Sequence, residues 1–332
     1  LEFSPHLSEL SGARVHCKLE NWQHTGSFKV RGALNKLLSL TEEERERGVV
    51  AASTGNHGAA FAEVAEELGY RGTLYMPATA SGFKVERLRP RAIDLELHGD
   101  DCVEAELAAA AAAREAGGIW VSPYNDPAVV AGQGTVAAEL VEQLEEIDDV
   151  LVPVGGGGLI SGIAVYLKAV RPSIRVIACQ PRNSCVMHSS IEAGRIVDEA
   201  SLPTVSDATA GGIEPGSITF DICRLMVDEF MLLDEHEIIE AMRFLYRSQG
   251  LQVEGGGPRP AGSGCRPLQT ARRSTGRLGR GGSRPNDSAP PRVGGLWRWA
   301  RMAIVDPMGV IKRNGSGETF VLLPRTVVGR SH

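Results

Sequence analysis

The sequence predicts an α/β protein of two domains, built from parallel-type sheets that are flanked by helices. Short aliphatic runs alternate with segments of helical periodicity from residue 49 to residue 179, which is typical of parallel sheets covered by helices. The length of 332 residues suffices for two domains of about 150 residues each. In such folds ligands bind at the carboxyl ends of strands, so the turns that follow strands are candidate sites.

Each predicted element follows from its local pattern. Aliphatic runs predict strands at 49–52, 73–76, 93–97, 119–121, 150–154 and 175–179. Apolar periodicity predicts helices at 60–68, 102–116, 134–146 and 159–170. In the first of these helices Ala60, Val64 and Leu68 recur at a spacing of four, and Gly69 is the expected stop signal.

Composition excludes several classes of protein. Hydrophobic residues make up 42% and charged residues 23%, which is near the globular average and excludes a wholly disordered or collagen-like chain. No apolar run approaches the roughly 20 residues of a membrane helix, and no leader is recognisable, so we expect no membrane association. The six cysteines lack C-x-x-C spacing, which argues against a zinc site or disulfide framework and favours a cytoplasmic location.

The carboxyl-terminal tail differs in composition from the rest of the chain. Residues 255–332 carry a net charge of +11 while residues 1–254 carry −17, and 13 of the 14 basic residues of the tail are arginine. Periodicity stops there, and Gly, Pro and Ser replace aliphatic residues, which favours a change of reading frame in a GC-rich gene. The rival interpretation is a basic disordered arm for nucleic acid or an acidic partner. Because the tail has few aromatic residues to stack on bases, we do not expect nucleic-acid binding.

Four consecutive glycines, 155–158, lie between a predicted strand and a predicted helix. Without Cβ atoms the backbone can approach a phosphate closely, and the helix N-terminus adds positive potential. The run therefore predicts an anion site, the alternative being a flexible loop. It matches neither G-x-G-x-x-G nor G-x-x-x-x-G-K-[ST], which disfavours nicotinamide cofactors and ATP.

Two further segments carry candidate chemistry. Lys29 stands among small and apolar residues, where desolvation disfavours the ammonium and a neutral amine could form a Schiff base. Taken alone, such a lysine is more often a solvated helix residue. The turn at 53–58, S-T-G-N-H-G, offers backbone N–H groups beside hydroxyls and an amide, which can hold a carboxylate. His57 in this turn is given no catalytic role, because a histidine in such a turn is at least as often structural.

Together these motifs resemble the serine/threonine dehydratase family, fold-type II pyridoxal-phosphate enzymes related to the tryptophan synthase β-subunit. The resemblance runs from about residue 4 to residue 255. Its motifs, in order, are K-L-E-N at 18–21, S-F-K-V-R-G-A at 27–33, S-T-G-N-H-G at 53–58, A-G-Q-G-T at 131–135 and G-G-G-G-L at 155–159. The turn at 53–58 is similar to that of a branch that includes hydroxyectoine-utilisation dehydratases.

The resemblance implies a role for each matched residue. Lys29 would bind pyridoxal 5′-phosphate covalently and act as the base at the substrate Cα. The cofactor phosphate would lie against Gly155, Gly156, Gly157 and Gly158. Asn56 would hydrogen-bond the cofactor 3′-hydroxyl. The substrate carboxylate would be held by the turn Ser53, Thr54, Gly55, Asn56 and His57. The domains implied are a large cofactor-binding domain, 1–45 and 126–255, and a small α/β domain, 46–125, with 256–332 as an irregular tail.

Some positions depart from the family pattern. Thr54 stands where racemase members have serine, so racemisation stays open while elimination is favoured. Gln180 and Val186 occupy the places of acidic ligands in cation-dependent relatives, so no metal is expected. Ala208 stands where relatives have glycine, and its methyl would crowd the cofactor ring. No S/T-G-G-N turn, the family's partner for the pyridine nitrogen, follows Gly255.

The predicted function is therefore β-elimination from a small hydroxy-amino acid such as L-threonine or L-serine, which yields a 2-oxo acid and ammonia. The alternatives are an amino-acid racemase of the serine type and an inactive homologue with a basic binding tail. The expected partners are an amino-acid substrate and further copies of the same chain, as a dimer or tetramer.

Overall fold

The structure, a computed structural model, describes residues 1–89, 91–100, 102–251, 253, 310–312 and 319–322. Within these ranges the chain forms eleven strands and eleven α-helices, and the strands form two sheets. Helices lie beside both sheets, so the α/β class predicted from the sequence is found.

The larger sheet has seven strands in the order β1-β2-β10-β11-β7-β8-β9. Its strands are β1 Glu2–Phe3, β2 Arg14–Cys17, β7 Asp149–Pro153, β8 Arg175–Pro181, β9 Glu229–Leu233, β10 Val310–Lys312 and β11 Thr319–Leu322. The β7, β8 and β9 strands are parallel, with Val150 paired to Val176, whereas β1 and β10 run antiparallel to β2. The helices that accompany this sheet are α1 Pro5–Ser11, α7 Pro127–Gln143, α8 Gly158–Val170, α9 Val186–Ala193, α10 Ile218–Met226 and α11 Glu235–Gln249.

The smaller sheet has four parallel strands in the order β5-β4-β3-β6. Its strands are β3 Val49–Ala52, β4 Gly72–Met76, β5 Asp94–Leu97 and β6 Ile119–Trp120. The helices before and between these strands are α2 Lys29–Leu38, α3 Glu42–Arg47, α4 Asn56–Leu68, α5 Gly82–Leu88 and α6 Cys102–Ala116. As predicted, α4 ends at Gly69, whose φ of 68° is the left-handed conformation that favours glycine.

One predicted helix begins earlier than its periodicity suggested. The sequence predicts a helix over 134–146, but α7 begins at Pro127 and ends at Gln143. Asp126 caps it by accepting hydrogen bonds from the N–H groups of Ala128 and Val129, and a proline at the first helical position is already in a helical conformation. The glycines that hid this first half lie inside the helix.

Two apolar cores stabilise the structure. The larger core lies around β7 and β8 and includes Ile160 and Ile163 of α8. The smaller core lies around β3 and β4 and includes Phe61 of α4. Helix α2 places Ala33 and Leu37 in the smaller core, so the helix that carries Lys29 packs against the smaller sheet.

Most of the tail lies outside the described residues, and with it the predicted change of reading frame. The two tail segments that the structure describes, β10 and β11, are strands rather than irregular. Both contain β-branched residues, which suit a strand, and they pair with β2 and β7. Among the described residues, no helix is long and apolar enough to cross a membrane.

Candidate active site

Lys29 is the first residue of α2 and points toward the segment that leaves the smaller sheet. Its Nζ donates a hydrogen bond to the backbone carbonyl of Pro123 at 2.8 Å and lies 5.4 Å from the centre of the Phe28 ring. Phe28 and Ser27 are buried, so the lysine emerges from a covered turn. Three other lysines, Lys18, Lys36 and Lys168, form ion pairs with carboxylates.

The glycine run joins β7 to α8, and packing leaves no room for side chains there. A Cβ atom on Gly155 would stand 2.9 Å from the Thr209 carbonyl oxygen, and one on Gly158 would stand 2.9 Å from Tyr124 Cβ. Gly157 has a φ of 85°, which L-residues with side chains rarely adopt. The loop therefore presents bare backbone at the N-terminus of a 13-residue helix, where N–H groups and the helix dipole attract anions.

Lys29 and the glycine run line the same pocket, although they are far apart in the sequence. The other residues of its wall are Phe28, Tyr124, Pro153, Leu159, Ala208 and Thr209. An amine thus shares one cavity with the bare backbone of the glycine run. Ala208 lies on this wall, where its methyl was expected, and the predicted crowding of the cofactor ring stays a prediction.

The turn at 53–58 lies at the carboxyl end of β3. The hydroxyl of Ser53 accepts a hydrogen bond from the N–H of Gly55 at 3.1 Å, and Asn56 is the first residue of α4. The ring of His57 is buried, with its Nε2 2.9 Å from the Val121 carbonyl oxygen. Among the described residues, the wall of the Lys29 pocket does not include Ser53, Thr54, Gly55, Asn56 or His57. The roles predicted for these five residues stay predictions.

Tyr124 is a pocket residue that the sequence reasoning missed. Its hydroxyl accepts a hydrogen bond from the N–H of Glu214 at 3.0 Å. Its ring lies against Gly156, and its Cα and Cβ lie against Gly158. Burial raises the pKa of Tyr124 well above its usual range. The charges of Glu214 and Glu106 raise this pKa further, whereas the hydrogen bond from the Glu214 backbone lowers it. The signal available in the sequence was the position of Tyr124, which lies in the short segment between β6 and the α7 cap Asp126.

The first turn of α10 is tied to the pocket region by side chains. The Asn125 side-chain oxygen accepts the N–H of Ile218 at 2.9 Å, and the Thr219 hydroxyl donates to the Gly156 carbonyl at 2.7 Å. Burial raises the pKa of Glu106. The charge of Glu214 raises this pKa further, and the charge of Lys29 lowers it.

Gln180 lies where cation-dependent relatives were expected to have a carboxylate. Its side-chain nitrogen donates to the Val154 carbonyl at 3.2 Å, and its oxygen accepts the N–H of His188 at 3.0 Å. Both polar atoms are thus used inside the protein. Val186, at the second expected ligand position, is buried and apolar.

Sequence comparison identifies the class of protein that this pocket defines. Residues 1–262 match the family described as pyridoxal-phosphate dependent enzymes. The chain therefore belongs to the pyridoxal-phosphate dependent enzymes, and pyridoxal phosphate is its cofactor. The family and the cofactor predicted from the motifs are confirmed.

Two of the similar proteins are enzymes that are named for action on L-threonine. The chain is 42% identical over 257 residues to L-threonine ammonia-lyase of Thermotoga maritima, which covers 77% of this chain and 64% of that protein. It is 40% identical over 254 residues to the catabolic L-threonine dehydratase TdcB of Escherichia coli, which covers 76% of this chain and 77% of that protein. The chain thus spans less than two thirds of the first relative.

Solved structures give the same fold. The processed form of threonine deaminase isoform 2 from Solanum lycopersicum superimposes with a TM-score of 0.72 at 32% identity, covering 77% of this chain and 74% of the other. Maize serine racemase superimposes with a TM-score of 0.70 at 33% identity, covering 76% and 78%. The fold class predicted from the sequence is confirmed.

The pocket fits the cofactor by its own geometry. A phosphate needs close backbone approach, and a Cβ atom at any of the four glycines would come within 3.0 Å of a neighbouring atom. A covalent link to the cofactor aldehyde needs an amine within the same cavity, which Lys29 supplies.

Proposed function

We propose that this enzyme eliminates water from a small hydroxy-amino acid, L-threonine or L-serine, and releases a 2-oxo acid and ammonia. The observation that carries the proposal is the shared pocket of Lys29 and the glycine loop. The relatives from Thermotoga maritima and Escherichia coli, which are named for action on L-threonine, support this substrate class. In the net reaction the substrate loses its Cα proton and β-hydroxyl as water, and a second water then replaces the amino group, which leaves as ammonia.

Lys29 would have two tasks in this reaction. Its amine would hold the cofactor through the aldehyde carbon, and once free it would take the proton from the substrate Cα. The bound cofactor withdraws electrons from Cα and so makes this proton acidic enough to remove. The hydrogen bond from Nζ to the Pro123 carbonyl holds the amine at the pocket wall.

The glycine loop would bind the cofactor phosphate. Backbone N–H groups at the start of α8 can donate to the phosphate oxygens, and the helix dipole favours the dianion. The hydrogen bond from Thr219 to the Gly156 carbonyl fixes this peptide within the loop. Tyr124 covers one side of the loop.

The turn after β3 would bind the substrate. Ser53, Thr54, Gly55, Asn56 and His57 offer N–H groups and hydroxyls for the α-carboxylate, and Asn56 also reaches the cofactor 3′-hydroxyl in this proposal. The buried ring of His57 is held by the Val121 carbonyl, so the backbone N–H is the group of His57 that we assign to the substrate.

Racemisation is a second candidate function, favoured by two observations. Structures of serine racemases from maize and Dictyostelium discoideum superimpose with TM-scores of 0.70 and 0.69. Thr54 also supplies a hydroxyl in the turn where racemase members of the family were expected to have serine. Elimination is favoured, because the extra methyl of threonine restricts the rotamers of this hydroxyl.

One assay tests the proposal. Purified protein with pyridoxal phosphate is incubated with L-threonine or L-serine, and 2-oxo acid, ammonia and the D-enantiomer are measured together. We expect 2-oxo acid and ammonia in equal amounts. The D-enantiomer as main product would establish the racemase instead. If neither product forms and no visible absorbance of bound cofactor develops, the chain is the inactive homologue. The predicted homo-oligomer is tested in the same sample by its mass in solution.

A further inference from the structure

Arg31 lies two residues after Lys29, in the first turn of α2, and its guanidinium is almost fully enclosed. Nε and Nη2 donate to the two carboxylate oxygens of Glu20 at 2.7 and 2.8 Å. Nη1 and Nη2 donate to the two carboxylate oxygens of Glu139 at 2.5 and 2.9 Å. Nη1 also donates to the Thr135 hydroxyl at 2.9 Å. All five N–H groups of the guanidinium are therefore used, each in a fixed direction.

These partners tie α2 to two elements that accompany the larger sheet, the turn after β2 and helix α7. Glu20 follows β2 in a single 3₁₀ turn, Glu20–Trp22, and Glu139 lies on α7. Lys18 adds an ion pair with Glu139. Since α2 packs its apolar residues against the smaller sheet, Arg31 is one of the residues that hold this helix to the elements beside the larger sheet. At the other end of α2, Asn35 donates to the Ala128 carbonyl and Lys36 pairs with Asp126.

Backbone contact reinforces the link between α2 and α7. A Cβ atom on Gly132 would stand 2.5 Å from the Arg31 carbonyl oxygen, so only glycine allows the two helices to come this close. On its other side α7 meets α8, where a Cβ atom on Gly162 would stand 2.3 Å from the Val130 carbonyl oxygen. Because α8 begins at the glycine loop, three closely packed helices connect Lys29 to the phosphate site.

The charges of this network balance, since Arg31 and Lys18 face Glu20 and Glu139. Burial alone would raise the pKa of Glu139, but hydrogen bonds from Arg31 and Lys18 outweigh it and lower the pKa to about 2. Glu139 therefore stays ionised at neutral pH, opposite the Arg31 guanidinium. Buried ion pairs add little net stability, because desolvation offsets their attraction, whereas their directional bonds fix a geometry.

We propose that Arg31 is a positioning residue that seats the first turn of α2 on α7 and thereby sets where the Lys29 amine stands relative to the glycine loop. The inference rests on the proposed function, in which Lys29 binds the cofactor. Displacing an amine by about 1 Å can slow a reaction about 100-fold while leaving a separate anion site intact. The test must therefore measure the rate of covalent attachment to Lys29 separately from the affinity of the glycine loop for phosphate.

The test compares Arg31→Met and Arg31→Lys with the unchanged chain, each freed of cofactor. The first measurement is the rate at which visible absorbance develops after pyridoxal phosphate is added. The second is the affinity for pyridoxine 5′-phosphate, which has the phosphate but no aldehyde. Arg91→Met is the matched control, because Arg91 likewise binds two carboxylates, Glu63 and Glu66, which both lie on α4 beside the smaller sheet.

We expect attachment to slow about 10- to 100-fold in Arg31→Met, with affinity for pyridoxine 5′-phosphate within about threefold of the unchanged chain. Arg31→Lys should recover only part of the attachment rate. The ammonium keeps the charge, but it cannot form two parallel hydrogen bonds to each carboxylate as the guanidinium does. Arg91→Met should change neither quantity. If Arg31→Met fails to fold by circular dichroism, Glu139→Gln, which keeps the shape of the side chain, should show the same separation to a smaller degree.

Two results overturn the inference: unchanged attachment in a folded Arg31 or Glu139 variant, or a proportional loss of attachment and pyridoxine 5′-phosphate binding, which would mean a merely structural role. A failure of the proposed function is distinguishable from both. In that case the unchanged chain itself would show no borohydride-stable link between Lys29 and the cofactor.

Discussion

A Cβ atom on Gly156 would stand 2.6 Å from the ring of Tyr124, so the tyrosine closes one side of the glycine loop. The ring has little freedom to move, because its hydroxyl is bonded to the backbone of Glu214 and the side chain is largely buried. Tyr124 lies in the segment that follows β6 of the smaller sheet, whereas Gly156 lies in the loop that follows β7 of the larger sheet. The contact therefore joins the two halves of the pocket.

Replacing Gly156 by alanine should weaken cofactor binding while the fold survives. The new methyl must displace either the ring or the loop, and overpacking of this kind costs about 1–3 kcal/mol. We expect the dissociation constant of pyridoxal phosphate to rise about 5- to 150-fold, and further in Gly156→Asp, which adds a charge beside the phosphate. Equilibrium titration of the absorbance measures it.

Gly82→Ala is the matched control for this substitution, because a Cβ atom there meets nothing within 4 Å. It should leave the affinity unchanged. An unaltered affinity in Gly156→Ala would remove the glycine loop from the proposed phosphate site.

Lys29→Ala should abolish the covalent link to the cofactor. Borohydride reduction of the loaded enzyme followed by peptide mapping should place the label on Lys29 in the unchanged chain and nowhere in the variant. Lys168→Ala is the control, since Lys168 pairs with Asp228 and lies outside the pocket wall. A label found on another lysine would end the assignment.

Glu106→Gln should stabilise the cofactor-free protein near neutral pH and not near pH 4. Burial first, and then the charge of Glu214, raises the pKa of Glu106 in the folded state. The unfolded chain therefore loses this proton at lower pH than the folded chain, so stability falls as pH rises toward the folded pKa. Glutamine carries no charge and avoids this loss.

The measurement for Glu106→Gln is the unfolding midpoint at the two pH values. Each kcal/mol regained should raise the midpoint by about 1–2 °C in a chain of this size. Glu104→Gln, an exposed position on the same helix, should give no comparable pH-dependent gain. Equal effects of Glu106→Gln at both pH values would contradict the buried-charge explanation.

Local patterns predicted the parts of the fold whose cause is local. The β7 strand was recognisable because a parallel strand covered on both faces is a continuous aliphatic run, and all five of its residues are buried. The first half of α7 was missed although Asp126-Pro127 is a helix-start signal, and Gly132 within this half lowers helix propensity by about 1 kcal/mol. The presence of Gly132 is explained by a close helix contact that no sequence pattern shows.

In the candidate site, too, the sequence predicted the residues that have a local signal. Lys29 and the glycine run stood out because each is unusual within its own segment, and the structure brings them together. Tyr124 and Arg31 acquire their significance only from partners such as Glu214 and Glu139, which lie about 100 residues away along the chain. Pairings at this separation leave no periodic signal.

The tail gives the last prediction, which concerns the reading frame after Glu254. Matches to the threonine dehydratases extend over 254 to 258 residues and cover 76–77% of the chain, and beyond them arginine, glycine and proline replace aliphatic residues. We predict that a shifted frame encodes an apolar, helix-periodic segment followed by an S/T-G-G-N turn. The nucleotide sequence around codons 250–260 is the direct measurement.

The larger sheet explains why the frame matters physically. Strands β2 and β7 are not paired with each other; β10 and β11 from the tail lie between them, so the sheet needs a carboxyl-terminal strand to close. A tail poor in aliphatic residues covers the apolar faces of this sheet badly, and we expect the chain as written to be poorly soluble or weakly active. Expressing it beside a version with the frame restored compares soluble yield and cofactor retention directly. If no shifted frame encodes such a segment, or if the chain as written is stable and turns over at about 1–1000 per second, the basic tail is a genuine part of the enzyme with a partner of its own.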